Sequence, residues 1–226
     1  MFRAVIFDFD GVITDSEVLH FRSFNQVLGF YECHITEEQY YRDYLGLTDV
    51  DLFKLLIDDG LLEVDQDGFE KLLEQKKLAF EKLAGSEGSI IEGVREFLEM
   101  LRENDIAIGI YSGALVGEIE LILGDAGLRS YFEVIVAADH VAKGKPDSEG
   151  FLLAMDELNQ RRQDEILAEQ CIVIEDAHWG LEGAKAAGMH TIAVTNSYHA
   201  DDLAMSEMVV DNLSELSIDD LHQLCS

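Results

Sequence analysis

FRAVIFDFDGVITDSE, residues 2–17, begins with an apolar run, Ala4 to Phe7, that ends abruptly in Asp8, Asp10 and Gly11. A run this short and uniformly apolar is the pattern of a strand buried on both faces of a parallel sheet. Similar runs recur as IAIGIYS (106–112), VIVAA (134–138), CIVIED (171–176) and TIAVT (191–195). β-Branched residues are frequent in them, and they do not alternate with polar residues. Helical patterns fall between them, at roughly 93–104, 115–126, 148–160 and 178–187. Strands alternating with helices predict an α/β fold with a Rossmann-like, doubly wound parallel sheet.

The rhythm breaks once. From about Ser16 to Ala84 no strand-like run occurs. Four amphipathic patterns take its place: SEVLHFRSFNQVL, TEEQYYRDYL, VDLFKLLIDDG and FEKLLEQKKLAFEKL. The expected organisation is a Rossmann-like core from 1–14 and 87–226, with a helical cap, 15–86, inserted after the first strand. The exits of the insert are ITDSE and AGSEGS, and the second is small and polar enough for a hinge.

The 226 residues carry 46 acidic against 16 basic side chains, a formal net charge of -30. That balance disfavours nucleic acid and anionic membranes as partners, since both surfaces are negative. No apolar run approaches the ~18 residues that would span a bilayer, and no signal-peptide pattern opens the chain. Three scattered cysteines, Cys33, Cys171 and Cys225, suit a reducing compartment rather than a disulfide scaffold. The expectation is a cytoplasmic protein with no protein partner implied.

In open parallel sheets, ligands bind beyond the carboxyl ends of the strands. Asp8 and Asp10 follow the first run, Ser112 and Gly113 the second, Lys145 the third, and Glu175 and Asp176 close the fourth. Carboxylates gathered at one sheet edge repel one another. A hard divalent cation relieves that repulsion, and Mg²⁺ held by oxygen ligands from Asp8, Asp176 and a backbone carbonyl fits the set. A hydroxyl, exposed amides and an ammonium suit a phosphate. The combination points to metal-assisted phosphoryl transfer.

DFDGVITD (8–15), YSG (111–113), GKPDSEGF (144–151) and IEDAHWGLEGAKAAGM (174–189) resemble, in order, the four motifs of the haloacid dehalogenase superfamily of hydrolases. The helical insert resembles the cap of its β-phosphoglucomutase-like subfamily. The resemblance implies that Asp8 is a nucleophile forming an aspartyl-phosphate and that Asp10 is the general acid, then the base for the hydrolytic water. It implies that the Asp10 main-chain carbonyl joins Asp8 and Asp176 on Mg²⁺, with Glu175 beside them in either the inner or the outer shell. Ser112, Gly113 and Lys145 would hold the phosphoryl oxygens. Superfamily dehalogenases and phosphonatases lack an Asp at position 10.

Taken singly, each residue has a plainer reading: a turn aspartate, an N-cap serine, a solvated loop lysine. In the insert, Glu17 and His20 are substrate-binding candidates, against a half-buried helix-face role for His20. Arg22, Arg42 and Lys76 read first as solvated helix-face residues, with contact to the far end of a substrate as the alternative. The subfamily's mutases carry a Gly-x-x-Arg loop whose arginine grips the phosphate that is not reacting. Here GLTD, Gly46 to Asp49, places a carboxylate there, expected to repel a second phosphate. The expected activity is therefore Mg²⁺-dependent hydrolysis of a small phosphorylated metabolite such as a sugar phosphate. A phosphomutase is the alternative, and a non-catalytic binding protein on the same scaffold is a third reading.

Overall fold

The computed structural model describes residues 2–87 and 90–225. In chain order the elements are β1 (Ala4–Phe7), α1 (Glu17–Leu28), α2 (Glu37–Gln39), which continues as a π turn (Tyr40–Tyr44), α3 (Asp49–Asp58) and α4 (Gln66–Glu87). There follow α5 (Val94–Glu103), β2 (Ala107–Tyr111), α6 (Val116–Asp125), β3 (Val134–Val136), α7 (Glu149–Arg161), β4 (Cys171–Glu175), α8 (His178–Ala186), β5 (His190–Val194), β6 (Met208–Val210) and α9 (Ile218–Leu224).

The chain divides into two compact units, Met1–Asp15 with Ser89–Ser226, and Ser16–Gly88. In the first, six strands form one parallel sheet in the order β3-β2-β1-β4-β5-β6. β1 is central and its four side chains are fully buried, which is why they are apolar without alternation. Tyr111, Val134, Val136 and Val173 pack with Phe151, Ala154 and Leu158 of α7 on one face of the sheet. The sixth strand, Met208–Val210, has no counterpart among the expected runs. It is three residues long and only half-buried, so its apolar signal is weak.

The second unit is built from α1 to α4 around Phe24, Leu28, Leu52, Phe53, Leu56 and Leu72. Thr48 caps α3, its hydroxyl accepting from the Asp51 amide at 3.1 Å. At the far end of the unit, AGSEGS differs from the expected hinge. Residues 84–87 continue α4, and Ala84 is buried on the packed face. The last two residues of that stretch lie outside the described set.

Candidate active site

The register explains how the strand ends meet. Phe7 pairs with Ile110 on one side and with Ile174 on the other. One residue further, Asp8 is level with Tyr111 and Glu175, and the Asp8 amide continues the ladder to the Ile174 carbonyl at 2.9 Å. The chain then folds back on itself. The Gly11 amide donates to the Thr14 carbonyl at 2.8 Å with Gly11 at φ 77°, a backbone conformation glycine adopts without steric cost. The turn also brings its α-carbon close to the fourth strand end: a Cβ on Gly11 would stand 1.8 Å from Asp176 Oδ2.

Lys145 ties the ends together. Its ammonium lies 2.7 Å from Asp8 Oδ1 and 2.5 Å from Glu175 Oε1, with the rings of Tyr111 and Phe151 at 5.2 and 5.7 Å. Burial alone would lower the lysine pKa, but the two carboxylates outweigh it and hold it raised. Glu175 has no exposed surface, and its Oε2 accepts from the amides of Asp176 at 2.9 Å and Ala177 at 3.0 Å. Burial, then the charge of Asp8, push its carboxyl up to about 7, with Lys145 opposing. Asp176 is raised well above the ordinary carboxylate range by burial and by the charges of Glu175 and Asp8. A hydrogen bond from the Ser197 hydroxyl works in the other direction.

Asp8, Glu175 and Asp176 each offer an oxygen within 4.8 Å of the others. All three are carboxylates, with no imidazole or thiolate among them, and such a donor set fits a hard cation such as Mg²⁺. The Asp10 carboxylate is outside this trio. It is half-buried and turned toward Ser112, whose hydroxyl donates to Asp10 Oδ2 at 3.4 Å and accepts from the Ala114 amide at 3.0 Å. Ser112 is buried, whereas Gly113 is exposed. Six expected residues thus converge at neighbouring strand ends of the first unit, and Gly113 extends that edge. The helix-cap reading of Ser112 fails, because Leu115 is the N-cap of α6.

Glu17 and His20 both lie on α1 in the second unit. Glu17 accepts from the Tyr40 hydroxyl at 2.7 Å. His20 stacks on Phe80 with ring centroids 4.2 Å apart, and its Nδ1 is 2.8 Å from the Lys76 ammonium. An ammonium can only donate, so Nδ1 is the unprotonated nitrogen. Burial, then the Lys76 charge, lower the His20 pKa well below its ordinary value. One expectation is corrected here. Lys76 is not a solvated helix-face lysine: its side chain is 0% exposed, with Phe24 and Phe80 against the ammonium. Asp49, the carboxylate expected to repel a second phosphate, ion-pairs with Lys76 at 2.6 Å. Arg42 is exposed and paired with Asp43 at 2.7 Å.

The reading of strand ends passed over Ser197, although it follows the fifth run as the other site residues follow theirs. Lys76 also left a signal. Leu72, Lys76, Phe80 and Ala84 recur four apart and share the buried face of α4.

Residues 5–194 match the family described as haloacid dehalogenase-like hydrolase. Among similar proteins is a phosphorylated carbohydrates phosphatase of Thermotoga maritima, 33% identical, covering 84% of this chain and 83% of that protein. Another is the fructose-1-phosphate phosphatase YqaB of Escherichia coli, 30% identical, with 85% and 96% covered. Among solved structures, that of CbbY from Rhodobacter sphaeroides in complex with phosphate superposes with a TM-score of 0.87 at 22% identity, covering 98% of this chain and all of that one.

Proposed function

We propose a function on the premise that the chain belongs to the haloacid dehalogenase-like hydrolases and is a phosphatase. From that premise we propose that it hydrolyses a small phosphorylated carbohydrate through an aspartyl-phosphate on Asp8, with Mg²⁺ as cofactor and the cytoplasm as its compartment. The observation that carries this reading is the grouping at adjacent strand ends. Three buried carboxylates within 4.8 Å share the edge with an ammonium salt-bridged to two of them and a buried serine hydroxyl.

In this reading a phosphoryl group binds with its oxygens on the Ser112 hydroxyl, the Gly113 amide and the Lys145 ammonium. An Asp8 carboxylate oxygen attacks phosphorus, and the ester P–O bond breaks. Asp10 passes its proton to the departing alkoxide. A water then attacks the phosphorus of the aspartyl-phosphate and gives its proton to Asp10, and the carboxylate of Asp8 leaves as inorganic phosphate forms. Lys145 lowers the cost of holding Asp8 ionised in a buried position. Asp8, Asp176 and the Asp10 main-chain carbonyl would hold Mg²⁺, with Glu175 supporting them. When bound, the ion offsets carboxylate and phosphoryl charge and polarises a phosphoryl oxygen.

Asp49 supports hydrolysis over mutase chemistry. A mutase must grip a second phosphate, and Lys76, the cation that meets this loop at Asp49, is already neutralised by it. We propose that the helical unit, with Glu17 and His20 among its residues, discriminates substrates by their hydroxyl-bearing, uncharged portion.

The test is a panel of phosphorylated sugars and polyols assayed for released phosphate with Mg²⁺ or with chelator. Metal-dependent release that is lost in Asp8→Asn is the expected result. Isomerisation of a hexose phosphate with little free phosphate would replace it with the mutase reading. Absence of turnover on every member of the panel would favour the binding protein.

A further inference from the structure

The fifth strand end also reaches the site. β5 ends at Val194, and the loop that follows carries Ser197, whose hydroxyl donates to Asp176 Oδ2. The loop is fixed on both sides of Ser197. Before it, Thr195 bonds the end of β6, with its amide on the Val210 carbonyl at 3.0 Å and its hydroxyl on Asp211 at 2.6 Å. After it, the Tyr198 ring meets His178 and Trp179 of α8 edge-on, with centroids 5.6 and 5.8 Å away, and packs on Leu181, Ala193 and Leu203. α8 begins two residues after Asp176, so the element that clamps the loop is the one that carries the carboxylate forward. Across from Ser197, Gly11 leaves room for the same oxygen: a Cβ there would stand 1.8 Å from Asp176 Oδ2 and 3.1 Å from Ser197 Oγ.

We infer that Ser197 is a positioning residue for Asp176: its hydroxyl pins one carboxylate oxygen and leaves the other aimed at the cation site. The inference rests on the metal reading above. A buried aspartate flanked by Asp8 and Glu175 would otherwise rotate to separate the charges, because each of those carboxylates repels it. A hydroxyl donor on one oxygen removes that freedom, and outer-shell donors of this kind are typically worth about 10- to 100-fold in metal affinity.

The experiment is titration of the full chain with Mn²⁺, read by the loss of free-ion EPR signal. Ser197→Ala, Ser197→Thr, Tyr198→Ala and Asp176→Asn are compared with the parent, and melting of the metal-free proteins is followed in parallel. Expected are about tenfold or greater weakening in Ser197→Ala, recovery in Ser197→Thr and partial weakening in Tyr198→Ala. The metal-free melting of Ser197→Ala should stay close to the parent. Unchanged affinity in Ser197→Ala while Asp176→Asn loses binding would overturn the inference and leave the metal site standing. A parent chain that binds no Mn²⁺, or Asp176→Asn binding as the parent does, would overturn both.

Discussion

Glu175 is the most constrained side chain of the site. One oxygen takes the Lys145 ammonium and the other takes two backbone amides, so it has no free direction in which to move. Gly180, in the first turn of α8, comes close enough that a Cβ would stand 1.7 Å from Glu175 Oε1. Gly180→Ala should therefore destabilise the fold by about 1–3 kcal/mol, the usual cost of an overpacked site, and lower turnover by displacing Lys145. Denaturant unfolding and phosphate release on one preparation check both, and a variant matching the parent in each would show that Glu175 can yield. Asp8→Asn should keep the far-UV CD of the parent and lose turnover by more than ~10³-fold, because an amide is a poor nucleophile toward phosphorus; retained activity would move the attacking group elsewhere. Asp8, Asp10 and Asp176 were legible in the sequence because each stands just past a buried strand, where the fold itself aims side chains at the ligand edge; Lys145 lies further on, in the loop between β3 and α7. Ser197 stands at such an end too, but its part is a hydrogen bond to Asp176, a partner that the sequence alone does not name.

In the helical unit, α1, α3 and α4 share one charge cluster around the buried Lys76. Lys76 reaches from α4 to Asp49 at the start of α3 and to His20 on α1. Removing the carboxylate leaves the buried ammonium uncompensated, at a cost of up to ~3–5 kcal/mol for a fully buried pair and less here because Asp49 is partly exposed, whereas replacing both by apolar groups is far milder. Asp49→Ala should show the large loss in urea unfolding, and Asp49→Leu with Lys76→Met a smaller one. If the single variant were as stable as the parent, the pair would contribute nothing. His20 gives the unit a pH dependence. Its folded pKa is depressed below the ordinary 6.5, so the unfolded chain binds the proton more readily. The neutral ring's contribution is complete above about pH 6.5 and is lost as pH falls below it, by up to ~1.4 kcal/mol per pH unit. Urea midpoints between about pH 5 and 7.5 should fall more steeply on the acid side for the parent than for His20→Gln; parallel curves would remove His20 as the cause. The four helices could be read from periodicity alone. The cluster could not, since periodicity placed Lys76 on the buried face but could not name the carboxylate that pairs with it.

Across the whole chain, a net charge of -30 means that like charges oppose compaction everywhere on the surface. Raising ionic strength from ~0.01 to ~0.15 M shortens the screening length from about 30 to about 8 Å, and the melting temperature should rise with it. Mg²⁺ should raise it further than NaCl of equal ionic strength. Binding at ~100 times its Kd adds about 2.7 kcal/mol, or roughly 5–10 °C for a chain of this size. Equal melting in the two matched salts would argue against a specific ion site. Composition made the charge plain. The short half-buried β6 escaped because three residues at a sheet edge carry too little apolar signal. The strand order carries one more consequence, in time rather than in space. β1 lies at the centre of the sheet, between β2 and β4, yet it leaves the ribosome long before either. At about 5–20 residues per second, β4 emerges on the order of ten seconds or more after β1. Until β2 emerges a wholly apolar strand has no partner, and until β4 emerges its other edge stays unpaired, while the helical unit beside it in sequence, built from local contacts, is free to fold within milliseconds. The interval between β1 and β4 is thus where a nascent chain is most open to chaperone capture, and ribosome-bound chains halted before Cys171 should be far more protease-sensitive at residues 4–14 than in the helical unit.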